Sequence, residues 1–113
     1  MLPSDLKVFL ALGVTDLRKS IDGLSGLAIR TKKKELLTGS LFVFCNRRKN
    51  RIKILYWETN GFCLWLKRLE EHRFKWPKRE EDVLEVTSRE LEWLLAGLDL
   101  AQAHERLDYD YVT

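Results

Sequence analysis

No apolar run in this sequence approaches the roughly 20 residues that cross a bilayer. The N-terminal MLPSDLKVFLALG carries an acid and a Lys but no basic start, so it does not read as a signal peptide. A cytoplasmic location follows as the expectation. Cysteine is scarce, with Cys45 and Cys63 alone. In the strand register argued below they lie on two outer strands, several residues apart at about 3.3 Å each, too far for a disulfide. They read as free thiols of a reducing compartment. With His72 and His104 as the two histidines and no C-x2-C pair, no zinc site is expected. There is no Gly-rich phosphate loop, no G-x-S-x-G and no H-E-x-x-H. Asp16, Asp22 and Glu58 do not have the spacing of a two-metal nuclease site. No catalytic residue is named, no cofactor is expected, and a non-enzymatic protein is the reading. Internal repeats are also absent. The 45% hydrophobic and 33% charged residues exclude a disordered chain, and 113 residues predict one domain, 1–113, with a modest core.

What is present is concentrated in Leu41 to Pro77, LFVFCNRRKNRIKILYWETNGFCLWLKRLEEHRFKWP. Three of the four Trp and four of the five Phe lie there. The runs LFVFC, RIKILYW and FCLWLKRL are rich in β-branched and aromatic residues, and NRRKN and TNG between them are turn-like. They predict an antiparallel meander with strands at about 41–45, 51–57 and 62–69. A five-residue loop over Asn46–Asn50 sets Phe44 opposite Ile52 and Phe42 opposite Ile54. A three-residue loop over Thr59–Gly61, with Gly61 at positive φ, sets Tyr56 opposite Leu64 and Ile54 opposite Leu66. One face then carries Phe42, Phe44, Ile52, Ile54, Tyr56, Phe62, Leu64 and Leu66, an apolar core face.

The other face of that register is mixed: Leu41, Val43, Cys45, Arg51, Lys53, Leu55, Trp57, Cys63, Trp65 and Lys67. Lys53 falls opposite Lys67, a repulsion that a carboxylate or a bound phosphate relieves. Basic residues among Trp suit nucleic acid, through phosphate contacts and base stacking. The same pattern also suits a second layer, with a helix on the apolar part and the Lys stems lying along it. Charge is divided along the chain. Residues 1–79 hold 18 Lys and Arg against 7 Asp and Glu, and residues 80–113 hold 2 against 10. A basic body with an acidic end points to a nucleic-acid surface and an acidic region that either covers it or meets a basic partner.

The rest of the chain flanks the meander. KVFLAL over Lys7–Leu12 predicts a short strand. Thr15 is a good N-cap, and Leu17, Ile21, Leu24, Leu27 and Ala28 give an amphipathic early helix at about 16–30 that packs on the sheet. Gly23 and Gly26 inside it suggest a close backbone approach. TKKKELLTGS, residues 31–40, reads as a loop with a Lys triplet. HRFKWP is a fourth strand or an extended arm, with His72 packed or at the surface. Val83–Val86 is a short extended piece. Thr87 and Glu90 form a capping box before a late helix at about 88–98, with Leu91, Leu94, Leu95 and Leu98 as its apolar stripe and Gly97 near its end. Residues 99–113 form an acidic tail that either continues the helix or frays.

The strings TDLRKSIDGLSGL and GSLFVFCNRRKNRIKILYWETNGFCLWLKRLEEHRFKWP, with the late Leu-rich helix, resemble the TnpB-type accessory proteins of the insertion-sequence-66 family of bacterial transposable elements. The resemblance covers residues 5–100. It implies a role in DNA transposition beside a separate large transposase that carries the chemistry, and it supplies no catalytic site. The combined expectation is an α+β fold and an accessory factor that binds DNA, the transposase, or both, without a membrane. Arg47, Arg48, Lys49, Arg51 and Lys53 are the expected basic contact, with Lys67 beside them and Trp57 and Trp65 as stacking candidates. The competing class is an interaction module that binds the transposase and never touches DNA.

Overall fold

The computed structural model describes residues 5–100. It is an α+β fold with β1 Val8–Ala11, α1 Ile21–Leu37, β2 Leu41–Cys45, β3 Arg51–Glu58, β4 Gly61–Arg68, β5 Val83–Val86 and α2 Ser88–Leu95. The strands form one sheet in the order β4-β3-β2-β1-β5. The meander β2-β3-β4 stands as expected, and the early strand adds to it. β1 runs parallel to β2, with Val8 paired to Leu41, so α1 is the crossover that a parallel pair needs. β5 closes the other edge, antiparallel to β1. HRFKWP takes the extended-arm alternative, outside any strand.

The register within the meander differs from the expected one by one residue on both sides of β3. Phe42 pairs with Leu55 and Cys45 with Ile52; Ile54 pairs with Trp65 and Glu58 with Gly61. Two loops cause the slip. Asn46 Oδ1 accepts from the N–H groups of Asn50 (3.1 Å) and Arg51 (3.0 Å), and Asn46 N–H donates to Arg51 O at 3.2 Å. Asn46 and Arg51 thus close the first turn, where a five-residue loop would have paired Cys45 with Arg51. The second turn has two residues, Thr59 and Asn60, and the left-handed position is Thr59 at φ 52°, not Gly61. β3 gave the sequence pattern no single inward face, because Ile52 and Ile54 are buried on one side and Leu55 on the other. Alternation fixes register only where one face is wet.

The core therefore lies on both sides of the sheet. On one, Leu24, Ala28 and Leu36 of α1 pack against Phe9, Phe42, Phe44 and Leu55, with the Phe9 and Phe42 rings stacked at 5.2 Å. On the other, Leu91 and Leu94 of α2 join Phe74 and Trp76 of the arm over Val8, Leu10, Val43, Ile52 and Ile54. The arm is tied down by Trp76 Nε1 donating to Ala11 O at 3.0 Å. Leu66, expected in the core, is 54% exposed.

The helices correct three boundaries. α1 begins at Ile21 rather than 16, because Thr15 is held elsewhere: its N–H donates to Cys45 O at 3.0 Å. It runs on through the Lys triplet to Leu37, with a break at Lys32 (φ −142°, ψ 55°). Burial of Leu36 against the sheet recruits a stretch whose charges suggested a loop. Gly39 at φ 96° then stops it, with Ser40 N–H donating to Glu35 O and Gly39 N–H to Leu36 O, the Schellman pattern. α2 has the expected capping box on Thr87 and Glu90. It ends at Leu95, short of 98, by a second Schellman turn on Gly97 at φ 88°. Among the described residues a Cβ on Gly26 would meet nothing within 4 Å, so no backbone of theirs makes the close approach expected there. The expectations for the tail and His104 fall outside the described residues.

Candidate nucleic-acid interface

The basic hairpin tip is a built loop. Besides the Asn46 side-chain bonds, Asn46 Nδ2 donates to Asn50 Oδ1 at 2.8 Å, and Lys49 N–H donates to Asn46 O at 3.1 Å. Lys49 sits at φ 58°. The arm fastens the tip from behind, with Phe74 N–H donating to Lys49 O (2.7 Å), and just past β4 Leu69 N–H donates to Asn50 O (2.8 Å). Backbone groups are thus paired inward, and the side chains of Arg47, Arg48 and Lys49 are left in solvent. A tip held this way presents its cations on a backbone already ordered before binding.

Beside the tip lies a cleft of about 810 Å³ between the hairpin and the connector that precedes α1. Arg47, Arg48, Arg51 and Lys53 line one wall, and Arg18 with Asp16 lines the other. Arg18 grips Asp16 with Nε and Nη2, the latter at 2.8 Å from Oδ2. The bonds from the guanidinium and the backbone N–H of Arg18 hold the Asp16 carboxyl well below the usual carboxylate range, so it stays ionised and offsets one of the five cations. Lys53 holds the two walls together: its Nζ donates to Leu17 O (2.6 Å) and Lys19 O (3.2 Å).

The other expected site residues separate. The shifted register turns Lys53 and Lys67 to opposite faces of the sheet. Lys67 Nζ donates to Leu95 O at 2.7 Å, where a cation offsets the end of the α2 dipole. Trp57 lies at the far end of β3 from the tip, edge-on to Phe62 at 5.0 Å. Trp65 is on the other face, beside Leu6, Leu41, Ile54, Tyr56 and Leu95 around an apolar groove of about 510 Å³. The Lys triplet lies at the opposite end of β2 from the tip, with the Lys32 ammonium 5.7 Å from the Phe9 ring centre. Sequence reasoning missed Arg18 as a cleft residue; its one signal was a cation near the start of the expected early helix, on its polar side. Cys45 is buried, with its thiol pushed up to about 12 by burial, and Cys63 is half-buried. Among the described residues no helix is long and apolar enough to cross a membrane.

With this geometry in view, comparison with known proteins decides the lineage. Residues 6–105 match the model of the IS66 Orf2-like proteins. The chain belongs to the IS66 Orf2-like family. Its members are accessory proteins of IS66 insertion elements, which makes transposition the setting of this protein. An uncharacterized protein y4hO of Sinorhizobium fredii (strain NBRC 101917 / NGR234) is 36% identical over 110 residues, covering 93% of each chain. A second uncharacterized protein from the same strain, y4jC, is 31% identical over 94 residues, covering 83% of this chain and 80% of that one. No solved structure matches.

Proposed function

We propose that this IS66 Orf2-like protein is a non-catalytic cytoplasmic accessory factor for transposition that binds duplex DNA through the basic tip and cleft. The observation that carries the reading is the convergence of Arg47, Arg48, Arg51 and Lys53 with Arg18 around one cleft beside a pinned loop. Guanidinium groups gathered on one cleft suit phosphate oxygens, which they bind in pairs of hydrogen bonds. Among the described residues no aromatic side chain lines the cleft. Stacking on unpaired bases, the usual source of single-strand affinity, therefore has no platform there, and the duplex backbone is the matching ligand. Trp57, Trp65 and Lys67 drop out of the contact, and Lys53 acts mainly by holding the cleft walls.

A second reading rests on the apolar groove around Trp65, which is 43% exposed. There the chain docks on the element's large transposase and DNA contact is secondary. Two variants separate the readings. Arg47→Ser/Arg48→Ser/Arg51→Ser should keep the fold, weaken binding to a labelled duplex and lower transposition in cells that supply the transposase. Trp65→Ser should leave duplex binding intact. If Trp65→Ser alone abolishes transposition while the triple variant supports it fully, the docking reading replaces the first.

A further inference from the structure

β4 is an edge strand of eight residues, and among the described residues only β3 pairs with it. Natural proteins guard such edges with proline, bulges or inward charges, and GFCLWLKR contains none of these before Lys67. Both sides of the strand expose large apolar groups, Trp65 at 43% and Leu66 at 54%. Glu58 pairs with Gly61 across the two-residue turn, and Leu69 N–H donates to Asn50 O. Alternation along the ladder then turns the backbone groups of Cys63, Trp65 and Lys67 toward β3 and those of Phe62, Leu64, Leu66 and Arg68 outward.

We propose that this outer edge joins the same edge of a second copy, antiparallel about a two-fold axis at Leu64. Charge and shape along the strand select that occupant. Lys67 sits at one end of β4, beside an Arg68 that is paired with Glu70 at 2.7 Å, and Glu58 sits beside the other end, so antiparallel pairing of like edges brings the Lys67 end to the Glu58 end. With the axis at Leu64, Leu66 meets Phe62 of the second copy, and the two Leu64 meet each other. Arg68 falls opposite Asn60, and Lys67 falls opposite Gly61, whose neighbour Glu58 shares its face. No cation meets a cation. An axis moved to Leu66 would instead set Arg68 against Leu64 and Glu70 against Phe62. The pairing makes one continuous sheet with both basic clefts on the same face. Arg51, which pairs with Arg68, lies four residues along and one and a half strands across from the axis. At about 3.3 Å per residue and 4.8 Å per strand the two Arg51 stand about 30 Å apart. That is close to the one-turn separation, about 34 Å, of successive half-sites on B-DNA. This last consequence rests on the DNA reading of the cleft; the dimer does not.

The test is made without DNA, so the two readings fail separately. In a Cys63→Ser background, Leu64→Cys should form an intermolecular disulfide under mild oxidation, since residues opposite each other in a hydrogen-bonded pair have Cα atoms about 5.5 Å apart. Leu66→Cys should not, because its two copies stand roughly 13 Å apart along the strand. The parent should sediment as a dimer. Leu66→Pro, which removes an outward N–H at an edge where proline is tolerated, should be monomeric with an unchanged circular dichroism spectrum. A parent that is monomeric at every concentration overturns the proposal, as does equal cross-linking at positions 64 and 66. If the edge dimer forms but the clefts do not bind DNA, only the spacing consequence falls.

Discussion

Replacing Lys53 with Met keeps the aliphatic stem and removes the ammonium that ties the connector before α1 to the sheet. Lys53 Nζ donates to Leu17 O at 2.6 Å and Lys19 O at 3.2 Å. A hydrogen bond from a charged donor contributes about 1.5–3 kcal/mol. The Lys19 carbonyl is exposed and finds water once the donor is gone, so the Leu17 bond alone is counted. Lys53 is itself only half-buried, which places the loss at the low end, about 1.5 kcal/mol. For a chain of this size that lowers Tm by about 6–9 °C. Urea denaturation followed by tryptophan fluorescence should give a lower midpoint with the same slope, because the surface exposed on unfolding is unchanged. Amide exchange should accelerate at Thr15, whose N–H donates to Cys45 O from the same connector. A variant as stable as the parent, with Thr15 exchanging at the parental rate, would refute the claim that Lys53 holds the cleft together.

Four further substitutions or conditions probe the fold. Ile54→Asp should unfold the protein in a thermal melt, since it buries an unpaired charge on an inner strand of the sheet. Gly26→Ala should raise stability by about 1 kcal/mol in urea, because the helix interior loses glycine's entropy cost and the added methyl meets nothing within 4 Å. Thr59→Gly should also stabilise, by about 1 kcal/mol, through release of a β-branched residue from φ 52°. Burial raises the Cys45 thiol from its ordinary 9.0 to about 12. The unfolded chain then binds fewer protons between those values, and stability contributed by this group should fall as pH rises from about 9 to about 12. At pH 8 an alkylating reagent should label Cys63 well before Cys45.

The sequence carried the strand boundaries of the meander, because turn residues and β-branched runs are local signals. It carried the start of α2 through the Thr87–Glu90 box, whereas the turn on Gly97 ended that helix at Leu95, short of the expected 98. It misread TKKKELL as a loop, since the burial of Leu36 is a tertiary event that no local pattern announces. Register was out of reach for a related reason. β3 is covered on both faces, so Ile52, Ile54 and Leu55 satisfied either phase, and the choice fell to two turns whose hydrogen bonds a residue count does not give. That single slip scattered the expected site: Lys53 moved to the α1 face, while Trp65 and Lys67 stayed toward α2. The basic tip survived because NRRKN is contiguous. Arg18 joined it only through the β1-α1 crossover, which brings the connector alongside the hairpin.

The most direct test of the central claim is the salt dependence of duplex binding by the parent and by Arg47→Ser/Arg48→Ser/Arg51→Ser, measured by fluorescence anisotropy. Binding by the parent should fall steeply on a plot of log K against log salt. The triple variant should bind more weakly on unrelated sequences, with a slope reduced by up to about 2.7, the value for three lost phosphate contacts at roughly 0.9 each. Identical binding and identical slopes for the two proteins, or no binding by the parent even at low salt, would contradict the account.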